Sequence, residues 1–112
     1  MTTLTETKLI NIRRQLHKIP ELALHETETH ALLMKIIGDL DQTYLTIKQL
    51  PNLPTAILVR VSGSSPKRTI GYRTDIDALP VTESTGLSFA SENVGVMHAC
   101  GMTFTWRLPW EV

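Results

Sequence analysis

The sequence lacks most features that mark secreted or membrane-spanning proteins. It contains one cysteine among 112 residues, so no internal disulfide can form and a reducing, cytoplasmic setting is predicted. Its apolar runs are far shorter than the roughly 20 residues that a membrane helix needs. The first residues show no basic segment leading into an apolar run, so no secretory signal is predicted.

No excess of charge of either sign is present. Eleven Lys and Arg residues balance eleven Asp and Glu residues, so no overall field would draw the chain to nucleic acid or to an anionic membrane. The hydrophobic fraction of 42% and the charged fraction of 20% are ordinary for a soluble globular domain. The length is enough for one small domain with one core.

Two helices are predicted in the first 40 residues. The first should end near Pro20, because proline disfavours a helical residue before it. Its apolar positions recur at intervals of three and four, as on one side of a helix: Leu9, Ile12, Leu16 and Ile19. The second should cover about residues 26–40. We expect it to pack deeply, because its apolar residues lie on several sides: Leu32, Leu33, Met34, Ile36, Ile37 and Leu40.

Strands are predicted after the helices. Residues 44–49 alternate between polar and apolar, and residues 55–61 are β-branched and apolar. Residues 62–67 are rich in Ser, Gly and Pro and predict a turn, after which residues 69–73 predict a return strand. This gives a β-hairpin over residues 55–73. Helices followed by strands indicate an α/β domain.

Two aspartates follow the last predicted strand. Asp75 and Asp77 are two positions apart, so both would point to the same side if the strand geometry continued. Paired carboxylates at a strand end suit metal binding or general acid–base chemistry. An Asp-rich turn before Pro80 is the alternative. The whole stretch of residues 75–101 has little periodicity and is predicted to be irregular.

Further candidate ligands lie near the end of the chain. His98 and Cys100 are two positions apart, and neutral histidine and cysteine thiolate are common ligands of zinc and related divalent metals. The alternatives are a buried cysteine that acts as a small apolar residue, or a cysteine nucleophile. His17 lies near a predicted helix end, where capping or hydrogen bonding is the usual role. His25 and His30 are predicted to lie on the surface.

Taken in order, these pieces resemble one enzyme family. Each motif alone is weak evidence for a family, but the ordered set of motifs, ending in Met-His-Ala-Cys-Gly, is specific for one. It covers most of the chain: Arg14, Leu16, His17, Pro20, Glu21, Glu26, Gly71 to Pro80, Glu83, Thr85, Gly86, Ser91 and Gly95 to Gly101. The chain resembles the amidohydrolases of the M20 metallopeptidase family. That resemblance implies the N-terminal part of a zinc-peptidase-like αβα catalytic domain, with two helices, a β-hairpin and an incomplete sheet.

The resemblance also implies a chemistry. Two divalent ions (Zn, Mn, Co or Ni) would polarise an amide carbonyl and lower the pKa of a bound water, with a glutamate as general base. It assigns a metal-ligand role to Cys100 and a catalytic role to Asp75, with Asp77 helping to fix the site. His98 would be structural. Intact relatives would be homo-oligomeric and would act on small N-acetylated amino acids.

Within the family, the stretches at residues 52–58 and 71–77 are most similar to bacterial deacetylases that release acetate from N-acetyl-diaminopimelate in lysine biosynthesis. Other M20 branches, such as aminoacylases and hippurate hydrolases, are the first alternative. A short, non-catalytic binding protein is an alternative from a different class.

The resemblance stops after Gly101. Met102 stands where the family motif has a histidine, and nothing in residues 102–112 fits the family pattern. One nucleotide added before codon 102 would allow the family-like reading His-Asp-Phe-His-Met-Ala. We therefore expect residues 1–101 to be part of the metallohydrolase domain and residues 102–112 to be an out-of-frame tail. Because Cys100 alone cannot hold a catalytic metal, we expect the 112-residue chain to be inactive. Because its incomplete sheet would leave an unpaired edge and exposed apolar surface, we also expect it to be poorly folded.

Overall fold

The computed structural model describes residues 5–100; Gly101 and the expected out-of-frame tail, residues 102–112, lie outside the described residues. The elements follow one another in the order α1 (Glu6–Lys18), α2 (Thr27–Gly38), a short 3-10 helix (Gln42–Tyr44), β1 (Leu45–Leu50) and β2 (Leu53–Val61). Two helices followed by one two-stranded sheet confirm the predicted fold class, an α/β arrangement with an incomplete sheet.

Helix α1 ends where the sequence predicts, and a side chain caps its start. The Oγ1 atom of Thr5 accepts a hydrogen bond from the Lys8 N–H at 3.3 Å and caps the first turn. The helix ends at Lys18, just before Pro20. Its predicted apolar side is confirmed, because all four residues are half-buried or buried: Leu9, Ile12, Leu16 and Ile19.

Helix α2 is held at its start by a side chain from outside the helix. The Glu21 carboxylate accepts hydrogen bonds from the Glu28 N–H at 3.1 Å and from the Thr29 N–H at 2.7 Å. Thr29 and Ile37 are its buried residues. The expectation that α2 packs deeply is wrong, because the narrow hairpin covers only one side of it. The other apolar side chains are half-buried: Leu32, Leu33, Met34, Ile36 and Leu40.

The hairpin consists of β1 and β2. They pair antiparallel, with Leu45 opposite Val61, and a two-residue turn after Leu50 leads into Leu53. The predicted hairpin over residues 55–73 is therefore wrong in its pairing, although both 44–49 and 55–61 contain the expected strands. The stretch 69–73 forms no strand among the described residues. The two-residue turn brings the preceding strand to β2 at a low loop-closure cost, and the other edge of β2 is unpaired among the described residues.

Residues 75–100 are irregular, as predicted, and pack against the end of α1. Two isolated bridges tie them down: Ala78 pairs with Leu22 in a parallel sense, and Leu79 pairs with Met97 in an antiparallel sense. Ala78 is buried and forms the small described core together with Leu16 and Ile37. Within residues 5–100, neither helix is long and apolar enough to cross a bilayer.

Candidate active site

Asp75, the predicted catalytic carboxylate, lies on the surface. Its Oδ1 atom is 3.1 Å from the Nη2 atom of Arg73, and both side chains are largely exposed. Exposed ion pairs of this kind add about 0 to 1 kcal/mol to stability because water screens them. The Arg73 pair therefore does little to fix the Asp75 carboxylate, which is accessible to solvent.

Asp77 lies in a more constrained place. The backbone next to it is held because the Ala78 N–H donates to the Glu21 carbonyl oxygen at 2.7 Å. Asp77 is half-buried, and its charge acts on the His98 ring. The two aspartates thus differ: Asp75 is solvated, whereas Asp77 lies beside a buried histidine.

His98 connects the two ends of the irregular segment. The ring is almost fully buried, and its Nε2 atom is 3.3 Å from the carbonyl oxygen of Ile76. Burial lowers the pKa of His98, and this effect outweighs the hydrogen bond to Ile76 and the Asp77 charge, which both raise it. The ring is therefore neutral at neutral pH, and Nε2 must carry the hydrogen that it donates to the carbonyl. This contact agrees with a structural role for His98.

The buried pair at the end of α1 joins His17 to Glu83. The His17 Nε2 atom is 2.7 Å from the Glu83 Oε1 atom, and both side chains are almost completely shielded from solvent. Glu83 also accepts hydrogen bonds from the Thr85 hydroxyl and from the Ser91 N–H at 3.0 Å. The Thr85 bond, helped by Ser91 and His17, holds the pKa of Glu83 below its ordinary value despite burial. The predicted hydrogen-bonding role of His17 is confirmed.

Residues 91–97 are joined to the same end of α1 by hydrogen bonds to backbone carbonyls. The Glu92 N–H donates to the Lys18 carbonyl at 2.9 Å, and the Asn93 side-chain amide donates to the Pro20 carbonyl at 2.8 Å. The Glu92 bond satisfies a carbonyl that the helix end leaves without an intrahelical partner, and the Asn93 bond holds the chain just beyond that end. Paired backbone bonds between Leu79 and Met97, at 2.9 and 3.0 Å, then complete the link.

Cys100, the predicted metal ligand, is a free and exposed thiol. The alternative of a buried, apolar cysteine is therefore wrong. The isolated antiparallel bridge joins Leu79, two residues after Asp77, to Met97, three residues before Cys100. Within residues 5–100, however, no three His, Cys, Asp or Glu side chains lie close enough to hold a metal ion. The described residues alone do not fit a catalytic metal centre, which needs about three protein ligands.

The two remaining histidines differ from each other. His25 is exposed, as predicted. His30 is half-buried, and its Nε2 atom is buried without a hydrogen-bond partner among the described residues. The prediction of a surface position for His30 is therefore wrong. The reason is that His30 lies one turn into α2, on the part of the helix next to buried Thr29.

Comparison with known proteins places this geometry in a family. The chain is 71% identical over 96 residues to the N-acetyldiaminopimelate deacetylase of Lacticaseibacillus casei, and 67% identical over 94 residues to that of Limosilactobacillus fermentum. Its fold is similar to that of the YXEP protein of Bacillus subtilis, a dinuclear metal-binding peptidase of the M20 family, with a TM-score of 0.79 and 40% identity. In both sequence and fold, this chain is therefore similar to part of an M20-family protein. The fold is also similar to that of a protein assigned as an aminohydrolase from methicillin-resistant Staphylococcus aureus, with a TM-score of 0.78 and 44% identity.

The coverage of these M20 matches is unequal. They span 84 to 90% of this chain but only 24 to 27% of the relatives. The chain therefore spans about a quarter of the length of the relatives that it matches. A scan against protein-family models found no matching model.

Proposed function

We propose that this chain is the N-terminal part of a metal-dependent deacetylase that hydrolyses the N-acetyl amide of N-acetyl-diaminopimelate. The observation that carries the proposal is the identity of 71% to a relative with that name. The products would be acetate and diaminopimelate, which would place the reaction in lysine biosynthesis in the cytoplasm. An intact protein of this kind would be homo-oligomeric.

The proposed site residues are Cys100, Asp75 and Asp77. Cys100 would be one ligand of a pair of divalent ions (Zn, Mn, Co or Ni), and its exposed thiol is accessible for that purpose. The two carboxylates would serve the reaction from the segment before the Leu79–Met97 bridge. Because residues 5–100 contain no three-ligand cluster, the other ligands would have to come from outside them. We therefore expect no hydrolysis by the 112-residue chain alone.

A chimera tests the proposal. The matching 96-residue region of the Lacticaseibacillus casei relative would be replaced by the corresponding part of this chain, and acetate release from N-acetyl-diaminopimelate would be measured with each divalent metal. We expect metal-stimulated acetate release. We expect Cys100→Ser and Asp75→Asn in the chimera to reduce kcat/KM by about 100-fold or more. Glu92→Gln, at an exposed carboxylate away from these residues, is the matched control and should leave the rate unchanged.

Other M20 activities are the second candidate. The Bacillus subtilis neighbour is described as a peptidase rather than a deacetylase, so the same chimera should be assayed with hippurate and with dipeptides. Faster cleavage of either would replace the diaminopimelate assignment but keep the amide-hydrolysis mechanism. A folded, metal-loaded chimera that cleaves no amide would contradict the enzymatic proposal and favour a non-catalytic binding role.

A further inference from the structure

We propose that His17 and Glu83 are positioning residues: their hydrogen bond fixes residues 91–100 against the end of α1. The placement of these residues is a property of the fold. Its consequence for catalysis, through Cys100 and Asp77, rests on the proposed function. Neither His17 nor Glu83 is placed among the proposed ligands or catalytic groups.

Glu83 is the centre of this arrangement, because it collects three donors from three parts of the chain. His17 reaches it from α1, Thr85 from the turn that follows it, and the Ser91 N–H from the segment that leads to Cys100. Both side chains of the His17–Glu83 pair are at least 96% shielded from solvent. A buried carboxylate is stable only while it keeps such partners.

The surroundings of His17 leave its ring little freedom. The ring packs edge-on against Phe89, with centroids 6.0 Å apart, and lies 6.1 Å from the His98 ring. The guanidinium carbons of Arg13 and Arg14 lie over the same Phe89 ring, at 5.3 and 4.8 Å from its centroid. The charged or titratable groups that face the pair are therefore Arg13 from α1 and His98 from the end of the segment.

Several contacts transmit the position of Glu83 to the candidate site. The Ser91 hydroxyl donates to the Val96 carbonyl at 2.7 Å, which closes the turn between them. Met97 then pairs with Leu79, and His98 holds Ile76. Moving Ser91 away from Glu83 would thus loosen both chain segments that carry Asp77 and Cys100.

Hydrogen exchange of the chimera described under the proposed function, followed amide by amide, tests this inference. The reporter amides are those of Ser91, Glu92 and Met97, and the Ser62 N–H, which donates to Tyr44 in the hairpin, is the internal reference. His17→Phe keeps an aromatic ring but cannot donate, whereas His17→Gln keeps a donor but loses the ring. His25→Phe, at an exposed histidine, is the matched control.

We expect His17→Phe to speed exchange at the reporter amides by about tenfold or more, because a hydrogen bond to a charged group is lost. We expect His17→Gln to stay within about threefold of the unsubstituted chimera, and the hairpin reference to be unchanged in both. The opposite ranking, with Phe tolerated and Gln not, would show that His17 acts only by packing. Equal loss of protection in the hairpin, or reporter amides that exchange at unfolded-chain rates without any substitution, would also overturn the inference.

A pH series adds a measurement that a purely packing role would not change. The pKa of Glu83 is lowered in the folded chain, so its contribution is present above the unfolded pKa and is lost as pH falls through the folded pKa. Protection factors at the reporter amides, corrected for intrinsic exchange, should therefore begin to fall below about pH 5 and continue to fall as the pH drops through the lowered pKa of Glu83. Glu83→Gln should remove that pH dependence. A pH profile that is identical in Glu83→Gln would refute the positioning role even if His17→Phe failed to fold.

Discussion

At the scale of single residues, Glu21 connects two parts of the molecule that are separate in sequence. Its side chain caps α2, while its backbone carbonyl accepts the Ala78 N–H beside Asp77. The sequence did not indicate this role, because capping side chains are usually found at the N-cap position itself. Here the N-cap residue, Glu26, makes no side-chain capping bond, and it instead accepts a hydrogen bond from the Thr55 hydroxyl of β2 at 2.7 Å.

The charge of Glu21 should stabilise the fold in a pH-dependent way. Burial opposes that charge, but hydrogen bonds from Thr29 and Glu28 outweigh it and hold the pKa of Glu21 below its ordinary value. A lowered folded pKa gives stability that is present above the unfolded pKa and lost as pH falls through the folded pKa. We therefore expect Glu21→Gln to lower the free energy of unfolding by about 1 kcal/mol at neutral pH and by much less near pH 3.

Urea unfolding at the two pH values measures the effect of Glu21→Gln. Glu92→Gln is the matched control, because Glu92 forms only a loose, exposed pair with Lys18 at 3.7 Å and should cost about 0.5 kcal/mol or less. An equal loss of stability at both pH values would mean that Glu21 acts through its shape and not through its charge.

At the scale of elements, the helices could be predicted and the strand pairing could not. The apolar spacing of α1 and the stop at Pro20 are local signals, so its existence and its end follow from the sequence. Strand composition does not show which neighbouring segment will pair with a strand. Residues 69–73 have a strand-like composition, yet Ile70 and Tyr72 are exposed and β2 pairs with β1.

Proline substitutions distinguish the observed pairing from the predicted one. The Ser62 N–H donates to Tyr44, and hydrogen-bonded pairs alternate along an antiparallel ladder, so Arg60 is hydrogen-bonded to Thr46. We expect Arg60→Pro to destabilise the chain by about 2 kcal/mol and Ile70→Pro by about 0.5 kcal/mol or less. Because the side chains of Arg60 and Ile70 are both exposed, the two substitutions remove similarly little side-chain packing.

Thermal or urea unfolding of the two proline variants, followed at the amides of the β1–β2 hairpin, measures how much stability each substitution removes. If Ile70→Pro is as damaging as Arg60→Pro, residues 69–73 pair with β2 after all and the 55–73 hairpin predicted from the sequence is restored.

At the scale of the whole molecule, the described chain leaves much apolar surface uncovered. Its buried apolar core is small, and the hairpin exposes large side chains at its outer positions: Leu50, Leu53, Leu58 and Val61. Both outer edges of the two-stranded sheet are also unpaired within residues 5–100. Unpaired edges and contiguous apolar patches promote association.

We expect the 112-residue chain to associate in a concentration-dependent way, and Leu58→Lys to reduce this because Leu58 is 49% exposed on β2. Static light scattering across about a hundredfold range of protein concentration measures this association. Arg68→Lys, in the exposed loop after β2, preserves the charge and serves as the control. A monodisperse, monomeric chain would contradict this prediction.

At this largest scale, the family could be predicted because its motif is an ordered series along the chain, and the relatives confirm it. The assignment of Asp75, Asp77 and Cys100 stays a prediction, since residues 5–100 hold no three-ligand cluster that would test it. The out-of-frame tail also stays a prediction. The contacts of His17 and Asn93 could not have been predicted, because their partners lie 66 and 73 positions away, and no local periodicity records such a distance.

Those long separations also set an order of events during folding. The hairpin closes through a two-residue turn and the helices form from neighbouring residues, so these elements can appear early, whereas contacts across long separations form late. A chain leaving the ribosome would present the exposed end of α1 until residues 83–93 had also emerged. The segment with the candidate catalytic residues would therefore dock last, onto a helix end that had already formed.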